Sequence, residues 1–481
     1  MRRIVAAFLA SFCAVVAVAD DGALDPSFGD GGVSSVDLDA QYAPDDSLID
    51  MATAPDGRIV AIAQSTSIPF HLPVRFEPAI ARLTANGALD KTFAIGGRLL
   101  LRRSLVSAGV LPSGSSGIAA SVDAVAVQGD GRIVIAGYAS TALVSGMLIA
   151  RLAVDGRLDP TFGDDGVVIV SFGAQVSGSA YAVAIAPDGR IVVAGVARPA
   201  NGNGDIAVAR VLADGAPDTS FDGDGRATIA FDLGAAAGRV DDVGRALALQ
   251  GDGRIVVAGD AQTATDVDSV VVRFGANGAP DPSFGNLATG KSRLWYATEH
   301  DDFARDVAIS ELPTRRIVVT GYTDTAGGDL DMAVAVLDDG GVADVGFSGD
   351  GRTTVPFDLG GSNHDIASRV KIVTKVQNIG GFPVITRRIV VAGRASVDGS
   401  PYQAFALTRL NFDGSLDATF GTGGRRTLPW DLDGDGSNDG GTAVALDGQG
   451  ALAIVGGHAM VGHANGSVDL ALVFGRVGVV P

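Results

Sequence analysis

Asp188-Gly189-Arg190-Ile191-Val192-Val193-Ala194-Gly195 has a counterpart at Asp130-Gly131-Arg132-Ile133-Val134-Ile135-Ala136-Gly137, and Leu158-Asp159-Pro160-Thr161-Phe162-Gly163 begins 28 positions after Asp130. The pair is used again and again. Its Phe recurs at Phe28, Phe93, Phe162, Phe221, Phe284, Phe347 and Phe420, with gaps of 65, 69, 59, 63, 63 and 73 residues. A period of this size marks an array of supersecondary units. The Arg-Ile-Val start of the other stretch stands at Arg58, Arg132, Arg190, Arg254, Arg316 and Arg388, with a worn seventh copy at 451–456.

One unit reads in full from Ala180 to Phe231. Residues 181–186 alternate as a strand does, Pro187-Asp188-Gly189 is a tight turn, and 190–196 is a second, β-branched strand. A variable loop at 198–204 leads to a third strand at 205–212. The Pro217 to Phe221 turn then leads to a fourth strand at 226–231. Four antiparallel strands make a blade. The phase at the ends is informative: residues 24–38 supply the end of a unit, and 468–474 form a third strand with no turn motif after it. The expectation is an all-β, seven-bladed β-propeller whose ring is closed by N- and C-terminal strands sharing one blade, which leaves no unpaired edge.

Composition agrees. Hydrophobic residues make up 47% of 481 positions, enough for a core without staples, and the single cysteine, Cys13, lies in the leader. Arg2 and Arg3, the apolar run 4–16 and Ala17-Val18-Ala19 read as a signal peptide over 1–19, leaving 20–481 as one propeller domain. The expected location is secreted or periplasmic, with no membrane span after cleavage, since the apolar run is shorter than the roughly 20 residues a spanning helix needs. Losing Arg2 and Arg3 takes the formal charge from −19 to −21, which repels phosphate backbones and argues against nucleic acid as a partner. The acid is nearly all aspartate beside glycine, a bias toward tight turns.

The two recurring stretches, in this order and spacing across residues 22–477, resemble the delta-60 repeat, a bacterial β-propeller repeat. The resemblance implies a propeller and carries no activity and no catalytic residues with it. The chain departs from the pattern at Lys91 and Val345, where Pro would stand, in the glycine-poor turn 311–315, and in an insertion at 374–386.

The recurrent turn aspartates (Asp25, Asp90, Asp159, Asp218, Asp281, Asp344, Asp417) read as turn caps and the Phe as filling between blades. The strand-two Arg reads as a partner for the turn carboxylates. Propeller geometry puts these near-identical turns on one face. The varied loops 65–78, 102–121, 138–146, 198–204, 323–328 and 457–466 share the other, which is the face expected to bind. There Asp46, Asp242 and Asp439 each stand twelve residues before the strand-two Arg position, and Asp302 and Asp365 fall at the same point once insertions are allowed for. Read as a ring around one channel mouth, they would suit a cation or a basic ligand. The alternative is that they are solvated turn residues capping the inner strands. Glu299-His300-Asp301-Asp302 is the densest polar cluster. No Ser-His-Asp, zinc or phosphate-loop signature occurs, and His458 and His463, five apart in one loop and not at a metal spacing, read as ordinary loop histidines. Trp295, Tyr296 and Trp430 suit a sugar-stacking platform or inter-blade packing equally.

The sharpest motif is Asp431-Leu432-Asp433-Gly434-Asp435-Gly436-Ser437-Asn438-Asp439, with carboxylates at positions one, three, five and nine and Gly at six, as a calcium loop requires. It resembles the loops of integrin-type propeller blades, a resemblance that implies Asp431, Asp433, Asp435 and Asp439 as side-chain ligands and the Ser437 carbonyl as another. Thr442 stands where an EF-hand has its bidentate Glu, so the expected site is a weaker, structural Ca2+. The functional expectation is an exported binding or scaffolding module for a protein, peptide or glycan. The alternative is an enzyme, a lyase or hydrolase of an extracellular polymer, using the carboxylates near Glu299 to Asp302.

Overall fold

In the computed structural model the chain closes into a ring of seven four-stranded antiparallel sheets. It describes residues 22–38, 45–67, 75–107, 120–141, 144–200, 202–231, 233, 241–287, 289–294, 300–311, 313–325, 327–360, 363–380, 382–397, 403–428, 440–446, 452–462 and 468–479. The blades are 45–100, 120–170, 176–229, 243–294, 302–355, 365–428 and 440–478, numbered 1 to 7 below. The strand Val33–Val36 is the outermost strand of blade 7. It pairs antiparallel with Val468–Gly478, Val33 opposite Gly475 and Val36 opposite Leu472, so the ends close the ring as the phase of the repeats requires. Residues 1–21, where a signal peptide is expected, lie outside the described residues, as do residues 431–439, Glu299, Trp295, Tyr296 and Trp430.

The repeat is legible in the contacts. In blade 3 the turn carboxylate of Asp218 accepts the Ser220 N–H (3.1 Å) and hydroxyl (2.6 Å) through Oδ1, which fixes the turn. Its Oδ2 accepts from Nε of Arg210, 2.7 Å away on the third strand. The Arg210 guanidinium also donates to the Ala276 carbonyl of blade 4 (2.7 Å) and to Ser220 Oγ (3.1 Å), and it lies 4.7 Å from the centre of the Phe221 ring. Arg190 of the second strand reaches the same carboxylate at 3.1 Å. One ion pair thus caps a turn, binds two strands and crosses to the next blade.

Equivalent clasps are built on Arg82, Arg151, Arg273, Arg409 and Arg476. All seven repeat phenylalanines are fully buried, which explains their recurrence: each fills the wedge that opens between radiating sheets. Contact is close enough to demand glycine opposite. A Cβ on Gly341, whose φ is +77°, would stand 2.6 Å from Phe284. Blade 5 is the exception, with Val336 in place of the clasp arginine and Gly346 in place of Ser or Thr, so Asp344 keeps only Arg316 (2.6 Å) as its ion-pair partner among the described residues.

Two departures from the sequence reading are local. The connection from blade 1 to blade 2 begins with a short helix, Leu101–Ser107, where a loop was expected; Leu101 and Leu105, one turn apart, are both buried by it. The 374–386 insertion does not disturb its blade but prolongs the hairpin, with Thr374 to Ile379 paired to Arg387 to Phe382 beyond the rim. Val376, Ile379 and Phe382 are exposed there.

Candidate functional site

Every blade starts with a strand along the central channel, and every one of these seven strands carries a β-bulge at the same place. The bulge residues are Ile49, Asp123, Tyr181, Arg245, Arg305, Ser368 and Thr442. A bulge bends the strand and re-aims its side chains. At this level a cavity of about 470 Å³ is lined by residues from all seven inner strands. Tyr181, Arg245 and Arg305 are themselves bulge residues; Asp50, Asp306 and Arg369 each follow one. Lys371 completes four cations against two carboxylates in the cavity wall.

These groups hold one another in place. Arg245 Nε lies 2.8 Å from Asp260 Oδ2, with its guanidinium 5.3 Å from the centre of the Tyr181 ring. Arg305 donates to the Tyr322 hydroxyl at 2.8 Å, and Phe303 stacks on Tyr322 at 4.8 Å. Arg369 reaches across to blade 1, where its Nη2 donates to Asp50 Oδ1 at 3.1 Å. Asp50 and Asp306 also accept the N–H groups of Val125 and Val370 in the following blades (3.1 and 2.8 Å). Burial raises the Asp123 and Asp260 carboxyls, opposed in part by Arg245 in both cases. Burial also acts to lower Arg369, but Asp50 and Asp306 outweigh it and the net shift is upward. No ion pair among the described residues involves Lys371.

The aspartates read as an acidic mouth lie elsewhere. Asp46, Asp302 and Asp365 are fully buried and Asp242 nearly so. Each of three accepts a backbone N–H from the end of the preceding blade: Leu38 to Asp46 (2.7 Å), Phe231 to Asp242 (2.6 Å) and Phe357 to Asp365 (2.5 Å). They do stand where the inner strands begin, but they anchor one blade to the next instead of facing solvent, because an unpaired N–H at each crossing needs an acceptor. The channel they surround is therefore basic where an acidic one was expected. His300 pairs through Nδ1 with Asp324 (2.9 Å), and Asp301 accepts the Val267 N–H (2.9 Å), so this cluster ties two blades together. Glu299 and the 431–439 loop fall outside the described residues.

The channel residues were missed because a bulge breaks the two-residue alternation by which strand faces are read. Aligning the repeats offers one signal: the strand-one position after the bulge is Ala124, Ala182, Ala246 or Ala443 in four blades and Asp50, Asp306 or Arg369 in the other three.

The chain is similar to a family described as "Domain of unknown function (DUF5122) beta-propeller", whose model matches residues 54–93, 128–162, 186–221, 250–284 and 387–420. These are the turn-to-Phe segments of blades 1, 2, 3, 4 and 6. No curated protein matches. Among solved structures, a protein of unknown function from Dyadobacter fermentans is 12% identical, covering 79% of this chain and 98% of its own, with a TM-score of 0.41. Sqt1 from Chaetomium thermophilum is 12% identical over 91% and 97%, TM-score 0.44. An alpha-L-arabinanase from Penicillium chrysogenum, complexed with arabinobiose, is 12% identical over 73% and 91%, TM-score 0.38. No helix among the described residues is long and apolar enough to cross a membrane.

Proposed function

We propose that this chain is an exported bacterial binding module of the delta-60 type, without catalysis, that receives an anionic group of an extracellular glycan in its central channel. The observation that carries the reading is the convergence of Arg245, Arg305, Arg369 and Lys371 on one cavity in a chain whose net charge is −19. A cation focused in a low-dielectric channel attracts an anion far more strongly than the same cation on the surface. The acidic exterior turns away a long polyphosphate, so the arrangement selects a carboxylate or sulfate that enters singly. Two features speak for binding over reaction. Asp50 and Asp306 are held by backbone N–H groups of the neighbouring blades, and the Arg groups by carboxylates or a tyrosine. Such groups fix a charge in place; they are poorly placed to exchange protons. In this reading the 431–439 loop holds a structural Ca2+ at the last blade-to-blade crossing.

Calorimetric titration of the purified chain with an oligogalacturonate and with a neutral oligosaccharide of the same length tests this. The expected result is binding of the acidic sugar alone, weakened by salt and weakened roughly tenfold by Lys371→Gln. Equal binding of the neutral sugar, or no effect of Lys371→Gln, would overturn the assignment. New reducing or unsaturated ends appearing during the titration would instead identify a polymer-degrading enzyme.

A further inference from the structure

We infer that the passage from blade 5 to blade 6 holds a divalent cation, calcium by its chemistry, between the carboxylates of Asp331, Asp358 and Asp365. Three segments meet there: Leu330 bridges His364 and Leu359 bridges Val397, both in parallel, which brings the start of strand Leu330–Asp338 against the crossing chain. One oxygen from each carboxylate lies within 4.8 Å of the other two. That is the span across a coordination sphere with metal–oxygen distances of about 2.4 Å.

Two further observations point to an ion. Asp365 is fully buried; its Oδ2 accepts the N–H groups of Phe357 (2.5 Å) and Asp358 (3.4 Å), while its buried Oδ1 has no hydrogen-bond partner among the described residues. A bare carboxylate oxygen inside a protein is costly unless a cation meets it.

The second observation comes from blade 4. The clasp positions Arg273 and Val336 correspond, so Asp268, five residues before the first, matches Asp331, five before the second. Asp268 is ion-paired to Arg293 on the outer strand. Arg293 stands opposite Val270, and the matching residue opposite Ala333 is Thr354. Blade 5 has thus lost the guanidinium that neutralises the equivalent carboxylate and has gained a second carboxylate, Asp358, beside it. No ion pair among the described residues involves Asp331, Asp358 or Asp365.

The donors are all hard oxygens, which favours calcium or magnesium over a softer metal. Ligands drawn from three separate segments suit the irregular shell of calcium better than the strict octahedron of magnesium. The site is distinct from the 431–439 loop and from the channel, and its role is to fasten a crossing where blade 5 also lacks its clasp.

The test uses the chain carrying Asp433→Ala and Asp435→Ala, stripped with a chelator and titrated with calcium chloride by calorimetry and by thermal melting. One binding event is expected to remain, with a rise in melting temperature on the order of 2 °C at about 10 mM calcium. Asp358→Asn, at an exposed position, should weaken that event by roughly tenfold or more. Thr354→Arg should return the missing guanidinium, raise the calcium-free melting temperature and remove the calcium response. No heat and no shift in this background would overturn the proposal, as would a response that Asp358→Asn leaves unchanged. Tighter binding of magnesium than of calcium would overturn the choice of ion.

Discussion

The rim and the channel of this propeller are built from the same seven repeats, yet they follow opposite rules. At the rim an Arg, an Asp and a Phe recur: six blades close their turn with the same guanidinium–carboxylate clasp over the same ring. Along the inner strands the bulge position holds Ile49, Asp123, Tyr181, Arg245, Arg305, Ser368 and Thr442, six residue types across seven equivalent positions. Each blade faces the same packing problem at the rim, so one solution is copied. At the inner strands the packing does not dictate one residue, and Tyr181, Arg245 and Arg305 among these bulge residues line the cavity. Repetition marks what holds the ring together, and its absence at an equivalent point is what singles out the channel for the binding role proposed above.

The largest break in the comparison should come from the clasp of blade 6. Arg409 is fully buried and holds Asp417 Oδ2 (3.0 Å), Thr419 Oγ1 (2.8 Å) and the Val479 carbonyl of blade 7 (3.0 Å). Arg409→Ala leaves Asp417 buried with Arg388 as its remaining cation. A loss of about 3–5 kcal/mol, read from guanidinium denaturation, is expected for breaking a buried pair on one side. Phe420→Ala should cost a similar amount, about 3–5 kcal/mol, through the cavity it leaves.

Acid attacks the same clasps from the other side. Burial alone would raise the Asp90 carboxyl, but the Thr92 hydroxyl and N–H together with Arg82 outweigh it and bring it down to about 2. Asp417 reaches about 2 for the same reasons, against the same burial, through Thr419, Arg388 and Arg409. A folded-state value below the unfolded one stabilises the fold at every pH above the unfolded value of 3.8, and the gain disappears as pH falls from there through about 2. Each carboxyl should contribute roughly 2 kcal/mol that melting curves lose between about pH 4 and pH 2. A flat profile across that window would mean that the clasps carry no net charge stabilisation.

Blade 5 sharpens the comparison from within the rim. With Val336 in place of the arginine, Asp344 has one cationic partner and more solvent than its counterparts. Asp344→Ala should therefore cost about 1 kcal/mol, where Asp218→Ala, which strands Arg210, costs about 3. Equal losses would show that the second-strand arginine, present in both, carries the clasp.

The repeated part of the molecule was legible in the sequence because repetition is itself a signal. Phe28 to Phe420 set the blade count, and the unmatched strand 468–474 announced how the ring closes. Even so, the third-strand arginines escaped notice, although Arg82, Arg151, Arg210, Arg273 and Arg409 each stand eight residues before their carboxylate. The sixth pair could not be seen along the chain, since closure joins Arg476 to Asp25. The channel was misread for a different reason. Asp46, Asp242 and Asp365 look like surface acids in sequence, and only the path of the chain shows backbone N–H groups waiting for them inside the wall. Charge composition gave no help either, because a net charge of −19 says nothing about a cavity whose lining carries four cations.

The smallest expected stability effect is the one that separates the two regions most cleanly. Lys371 lines the channel on the strand Asp365–Ile379, two residues beyond Arg369 and, unlike it, outside every ion pair among the described residues. Lys371→Gln keeps most of the side-chain length and removes only the charge. The folded state should change by no more than about 0.5 kcal/mol, the range of substitutions that break no buried contact. Arg369→Gln at the neighbouring position strands Asp50 and should cost about 2–3 kcal/mol. If the channel is where an anion is held, both variants bind it more weakly while only Arg369→Gln melts early. Should Lys371→Gln destabilise the ring as much as Arg369→Gln does, the ammonium is part of the scaffold and the contrast between rim and channel fails at this position.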